Sequence, residues 1–225
     1  MAFTPDDCTV PPNWLSRATA VLADEPQAGM VFGAVAAEPH DSRNAFVPIF
    51  IPSGYRRLQG RLARLRFSGV MGANMVIRRV VFDRLGGFDE CLGTGCLFHS
   101  FEDADMAYRA LRVGFAIVLD PQNAVAHWGE RDFTDGSAQR LIRNTRYGKG
   151  AFLAKHIRCG DPLAVYALLR GAFGEAKHVA TNLLRNRSVT GLGRLAYLMK
   201  GFIAGLRQPV DRQRWLYLTT GDDKP

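Results

Sequence analysis

The chain has 225 residues, 47% of them hydrophobic, and a formal net charge of +8. Such a length and apolar content exclude a disordered polymer and suffice for one substantial core, with or without an appendage. The basic excess favours anionic partners, and no apolar run reaches the roughly 18 residues a membrane span needs.

In chain order, the first predicted element is a helix over 12–24: Pro12 suits a first turn, and Trp14, Leu15, Ala18, Val21 and Leu22 recur at helical spacing. A strand follows over 29–35. Pro39, Pro48 and Pro52 predict a long loop, then a basic amphipathic helix over 56–66. Residues 72–77 read as a buried strand, and 79–85 as a short helix ended by Gly86-Gly87. A helix over 102–113 stops at Gly114 and leads into strands at 115–119 and 124–127. Alternating strands and helices predict an α/β architecture. From Ser137 the pattern is helical, with Leu192, Leu195, Met199, Phe202 and Leu206 marking one apolar stripe. A boundary near Cys159-Gly160-Asp161-Pro162 divides residues 1–159 from a basic helical extension, 160–225.

Several clusters carry candidate chemistry. Glu102, Asp103 and Asp105 crowd a helix start, where Ser100 and Asp103 also have capping-box spacing and Asp105 and Arg109 form an i,i+4 pair. Asp6-Asp7 is either a turn or part of a metal site, and His127 at a strand end is either a rim residue or a ligand. The four cysteines, Cys8, Cys91, Cys96 and Cys159, have no zinc spacing and read as reduced thiols. No leader is visible after Met1, which fits a cytoplasmic chain. Between Pro162 and Gln208, seven Lys/Arg stand against the single acid Glu175, which suits either a solvated helical face or contact with the inner face of a membrane. No nucleic-acid-binding signature accompanies the charge.

Taken together, Asp6-Asp7-Cys8 through Trp14-Leu15, Gly72-Ala73-Asn74, Gly86-Gly87-Phe88-Asp89-Glu90, Glu102-Asp103-Ala104-Asp105 and His127-Trp128-Gly129 resemble a family 2 inverting glycosyltransferase of GT-A fold, over about 3–152. The resemblance implies a partial GT-A, Rossmann-like mixed sheet with a helical C-terminal extension. It also implies transfer of a sugar from a nucleotide-sugar donor to a saccharide or lipid-linked acceptor in cell-surface polysaccharide or glycolipid synthesis. Asp103 would be the general base, oriented with the acceptor by Glu102 and Asp105. Asp7 and His127 would hold Mg²⁺ or Mn²⁺. Asp6 would contact the nucleotide side, Gly72 and Asn74 would line the acceptor side, and Arg146 and Lys149 would sit in a mobile basic loop over the diphosphate.

The sequence departs from that pattern at Pro5, where the family usually has an aspartate. The nucleotide-binding half that precedes the acidic motif in the family is expected to be missing here. That predicts apolar edges, weak donor binding and poor stability for the chain alone. The competing expectation is a non-catalytic remnant acting as a membrane-associated or partner-binding module.

Overall fold

The computed structural model describes residues 1–66, 69–186 and 192–219. The chain divides into two compact units, Met1–Gly87 with Asp103–Ala138, and Phe88–Glu102 with Gln139–Pro225. The division therefore differs from the one expected at 159/160.

The first unit opens with β1 (Ala2–Phe3), β2 (Cys8–Thr9), α1 (Trp14–Asp24), β3 (Ala28–Ala37), β4 (Ala45–Phe46), β5 (Arg56–Leu58) and α2 (Gly60–Arg66). A 3-10 turn at Gly72–Asn74 leads into β6 (Met75–Ile77) and α3 (Arg79–Leu85). Then come α4 (Glu102–Arg112), β7 (Ala116–His127) and β8 (Arg131–Asp132). The main sheet runs β1-β6-β3-β7-β2, with β5 also beside β7; β3 and β7 are parallel and every other pairing is antiparallel. Because β3 and β7 lie inside the sheet, β3 reads as a near-continuous apolar run, as do the parts of β7 on either side of Asp120–Asn123. On them α1 lays Trp14, Ala18 and Leu22, spaced i, i+4, i+8, against Val31, Val35, Val118 and Val125.

The two strands expected at 115–119 and 124–127 are one. Gly33 pairs with Asp120 and Ala34 with Ala124, so three residues of β7 bulge out of register. Pro121, which has no N–H for the ladder, stands in that bulge. Gly33 is obligatory here: a Cβ would lie 2.0 Å from the Asn123 carbonyl oxygen and 2.2 Å from Asn74 Nδ2.

The second unit contains α5 from Gln139 onward (the whole helix is Ser137–Arg158), α6 (Pro162–Asn186), α7 (Leu192–Arg207) and the hairpin β9 (Val210–Asp211) and β10 (Leu216–Tyr217). Helices α5 and α7 meet backbone to backbone. A Cβ on Gly150 would lie 2.1 Å from Leu198 O, and one on Gly201 1.9 Å from Tyr147 O. Buried Asp89 accepts from Lys155 Nζ at 2.6 Å and from the backbone N–H of Cys91 and Tyr217, which pins segment 88–102 and the hairpin to α5. The predicted α7 stripe lies off the buried face, with Leu195 and Phe202 half-buried. The buried face is Leu198, Gly201 and Gly205, while Leu192, Met199, Ile203 and Leu206 are exposed.

Candidate active site

The acidic motif forms a tight turn before β2, closed by Cys8 N–H donating to Pro5 O at 3.3 Å. The turn leaves Asp6 exposed and Asp7 half-buried. Cys8 pairs with His127 across β2 and β7, so the end of β7 lies beside the acidic turn. Asp7 Oδ2 is 3.3 Å from His127 Nε2, although 120 residues separate them. His127 is buried, and its Nδ1 is 2.8 Å from Pro48 O. With the proton on Nδ1, donated to that carbonyl, the Nε2 lone pair is directed toward Asp7, the arrangement in which histidine ligates a metal. The backbone of Trp128 donates to Asp7 O at 2.9 Å and its indole to Thr9 Oγ1 at 3.0 Å, which ties β7 and the acidic turn together.

Gly129 completes this corner. A Cβ there would stand 2.3 Å from Asp7 Oδ2 and 2.6 Å from His127 Nε2, so only glycine lets the chain pass beside both. Asp7, Cys8 and His127 offer ligand atoms all within 4.8 Å of one another. The thiol of Cys8 packs partly against the Trp14 cluster, and burial, then Asp7, push its pKa up.

Asp103 stands in the first turn of α4. Its Oδ2 accepts from Gly72 N–H at 2.5 Å and its Oδ1 from Ala104 N–H at 2.6 Å, so both carboxylate oxygens are oriented by backbone. The 3-10 turn that supplies Gly72 is itself anchored at Asn74. Asn74 Oδ1 accepts from Trp14 Nε1 at 2.8 Å, and Nδ2 donates to Ala34 O at 2.9 Å and Asn123 O at 2.6 Å. Asn74 is thus buried and its amide holds the fold; Gly72 is the member of that pair that touches a site carboxylate.

Two expectations change. Asp105, expected to orient the base or acceptor, has its side chain fully buried against Arg109 at 2.7 Å. Arg109 also donates to Leu85 O and Gly87 O, so this pair closes the end of α3, where Gly86 adopts φ 75°. The mobile loop expected around Arg146 and Lys149 is instead continuous α5 in the second unit, where Gly148 and Gly150 serve close packing. There Arg146 pairs with Glu175 at 2.9 Å, and burial, then Arg146, depress the Lys149 ammonium. Glu102, the first residue of α4, belongs to the second unit; its carboxylate lies beside Gly93, and burial raises its pKa above the usual glutamate range. Sequence reasoning overlooked Gly129, Cys8 and Pro48 as site-builders; the glycine after His127-Trp128 was the signal available.

The sequence model described as Glycosyl transferase family 21 matches residues 5–184. The chain belongs to glycosyl transferase family 21. The motifs had suggested family 2; the broader reading, a glycosyltransferase, stands. All of the expected site residues of this family 21 chain, from Asp6 to Lys149, fall inside the matched span, while α7 and the β9–β10 hairpin lie beyond it. A search of the curated proteins gave no match. Among solved structures the chain is similar to mannosyltransferase PcManGT from Pyrobaculum calidifontis in complex with GDP-Man and Mn2+, with TM-score 0.50 and 17% identity. That likeness covers 92% of this chain and 61% of that one, so the family 21 chain spans under two thirds of its length. At this identity the likeness speaks for the fold: a mixed α/β sheet of glycosyltransferase type, as the motifs implied.

Proposed function

We propose that the chain carries the metal and acceptor side of an inverting glycosyltransferase. Such an enzyme moves a sugar from a nucleotide-sugar donor to a saccharide or lipid-linked acceptor of the cell surface, at the cytoplasmic face of the membrane. The observation that carries this reading is the Asp7–His127 approach of 3.3 Å beside a glycine whose Cβ would fill the space between them. A carboxylate oxygen and an imidazole nitrogen suit Mn²⁺ or Mg²⁺, and the missing Cβ leaves the room an ion needs, so the residues fit a divalent cation. When bound, the cation neutralises charge on the departing nucleoside diphosphate.

Asp7 and His127 would hold that ion, and Asp6, exposed on the same turn, would meet the nucleotide side. Asp103 receives the proton of the acceptor hydroxyl as the new bond forms; the Gly72 and Ala104 amides keep its oxygens from rotating away. Asn74 acts by positioning Gly72. The outward apolar faces of α6 and α7, with Arg170, Lys177, Lys200 and Arg207 beside them, support contact with an anionic membrane. Arg187, also part of that basic run, lies outside the described residues.

The test is Asp103→Asn in the full-length protein. Turnover should drop by about 10²–10⁴-fold while the variant still folds and binds Mn²⁺. Undiminished turnover would remove Asp103 as the base. The second reading, a non-catalytic remnant, draws on Pro5 standing where the family has an aspartate, so that a single carboxylate of the turn faces His127. Failure of the protein to bind Mn²⁺ at all would favour it.

A further inference from the structure

The second unit has a cleft that the proposed chemistry does not use. It lies between one face of α5 (Gln139, Ile142, Arg143, Arg146) and the start of α7 (Gly193, Arg194, Tyr197), with a volume of about 220 Å³. We propose that this cleft binds the phosphate of an anionic phospholipid headgroup while the exposed faces of α6 and α7 lie in the membrane interface. The proposal rests on the membrane contact put forward above and is independent of glycosyl transfer.

The cleft's chemistry selects the ligand. Three guanidiniums line it and no carboxylate does; Glu175 pairs with Arg146 at 2.9 Å, and neither Arg143 nor Arg194 has a carboxylate partner among the described residues. The Arg143 guanidinium lies 5.6 Å from the Tyr197 ring centroid and Lys200 Nζ 5.2 Å from it, so one aromatic ring gathers two cations at the cleft. Guanidinium forks match phosphate oxygens two at a time. The volume falls below the roughly 300–1,000 Å³ of pockets that enclose a whole small ligand. That is room for a headgroup phosphate, not a nucleotide sugar.

The surroundings select the source. On α6, Tyr166, Leu169, Phe173, Ala176, Ala180 and Leu183 follow one another at 3, 4, 3, 4 and 3 residues and are all exposed, Phe173 to 72%. Such a stripe could also seat a second copy of this chain. Its flanks decide between them: Arg170 and Lys177 border it, and Glu175, the one acid from Pro162 to Gln208, is committed to Arg146. Two copies would bring like charges together, whereas a membrane with anionic lipid neutralises them.

The experiment is vesicle co-flotation of the full chain, with phosphatidylcholine alone and with phosphatidylcholine containing phosphatidylglycerol, at physiological ionic strength. Two double variants remove the same charge from different places: Arg143→Gln with Arg194→Gln in the cleft, and Arg170→Gln with Lys177→Gln beside the α6 stripe. Melting followed by circular dichroism confirms that each folds. Binding should require phosphatidylglycerol. The cleft pair should weaken it about 100-fold, the strength of charge-assisted bonds to phosphate; the flank pair, screened by salt, should cost about fivefold. Equal losses from the two pairs would overturn the cleft while leaving the membrane contact standing. No vesicle binding by any form, or a dimer that Phe173→Ser dissolves in its place, would overturn both. Tight binding of inorganic phosphate without vesicles would make soluble phosphate the ligand and overturn the lipid source.

Discussion

Substituting Gly129 with alanine tests the proposed metal corner without removing any candidate ligand. The added Cβ would stand 2.3 Å from Asp7 Oδ2 and 2.6 Å from His127 Nε2. Since carbon–oxygen contact becomes comfortable only near 3.4 Å, Asp7 must retreat by about 1.1 Å and His127 by about 0.8 Å. They are not equally able to do so. Asp7 is half-exposed and ends a short side chain, whereas His127 is buried and tied to Pro48 O. Asp7 therefore swings away, by several times the roughly 0.2 Å that a metal–ligand bond tolerates. The fold should survive, because the clash is relieved at a side-chain tip. Affinity for Mn²⁺ should fall about 10- to 100-fold, equivalent to about 1.4–2.7 kcal/mol. The assay is a Mn²⁺ titration read by the resonance of the free ion, alongside a melting curve. A folded Gly129→Ala protein that binds Mn²⁺ as tightly as the parent would refute the assignment of Asp7 and His127 as a ligand pair.

Other outcomes follow from the same geometry. In Asp103→Asn one amide hydrogen must face a backbone N–H, because both carboxylate oxygens accept from backbone donors; beyond lost turnover, stability should fall by about 1–3 kcal/mol in urea unfolding. Asp105→Ala leaves Arg109 buried and unpaired, and should cost about 3–5 kcal/mol in the same measurement. Gly33→Ala meets backbone it cannot push aside, and should lower stability by about 3 kcal/mol or more. Burial raises the Glu102 pKa, so the folded chain keeps a proton that the unfolded chain releases; stability is then lost as pH climbs from about 4.5 through the raised value, and Glu102→Gln should flatten that decline in melting temperature. A variant with the parent's pH slope would locate the titrating group elsewhere.

How much of this was readable in advance depended on the range of the forces involved. Helices α1, α3 and α4 and strand β3 announce themselves through local periodicity and end signals, and they form within a few residues of where the sequence puts them. Strands β1, β2, β9 and β10 have two residues each, too few for any period, and exist because a partner strand is present. The gap expected between strands at 115–119 and 124–127 is instead a bulge within β7, which Gly33 permits by letting Asn123 approach. The buried face of α7 was hidden for a different reason. Its buried face is made by Gly201 and Gly205, which add little to a hydropathy pattern but permit the backbone contact with α5 that wins the packing. At the site, Asp7 and His127 were legible only through the resemblance of the motifs. The burial of Asp105 depended on carbonyls of α3 that the local i,i+4 spacing could not foresee.

The turn at Gly72–Asn74 is the support on which the proposed base, Asp103, rests. Three elements fix Asn74, through Trp14 of α1, Ala34 of β3 and Asn123 in the bulge of β7, and the turn it anchors presents the Gly72 N–H to Asp103. A base must be held at one point relative to the acceptor hydroxyl, and small misplacements are expensive in rate. Asn74→Asp would set a carboxylate against two carbonyl oxygens, whereas Asn74→Ala would strand three polar partners. Either should move Asp103 without touching it. On this reasoning Asn74→Ala lowers turnover while leaving Mn²⁺ affinity within about threefold of the parent, since the Asp7–His127 corner has its own anchors at Pro48 and Trp128. Equal loss of Mn²⁺ binding and turnover would show that the two halves of the site share one support, and that the turn is not a separate device for the base.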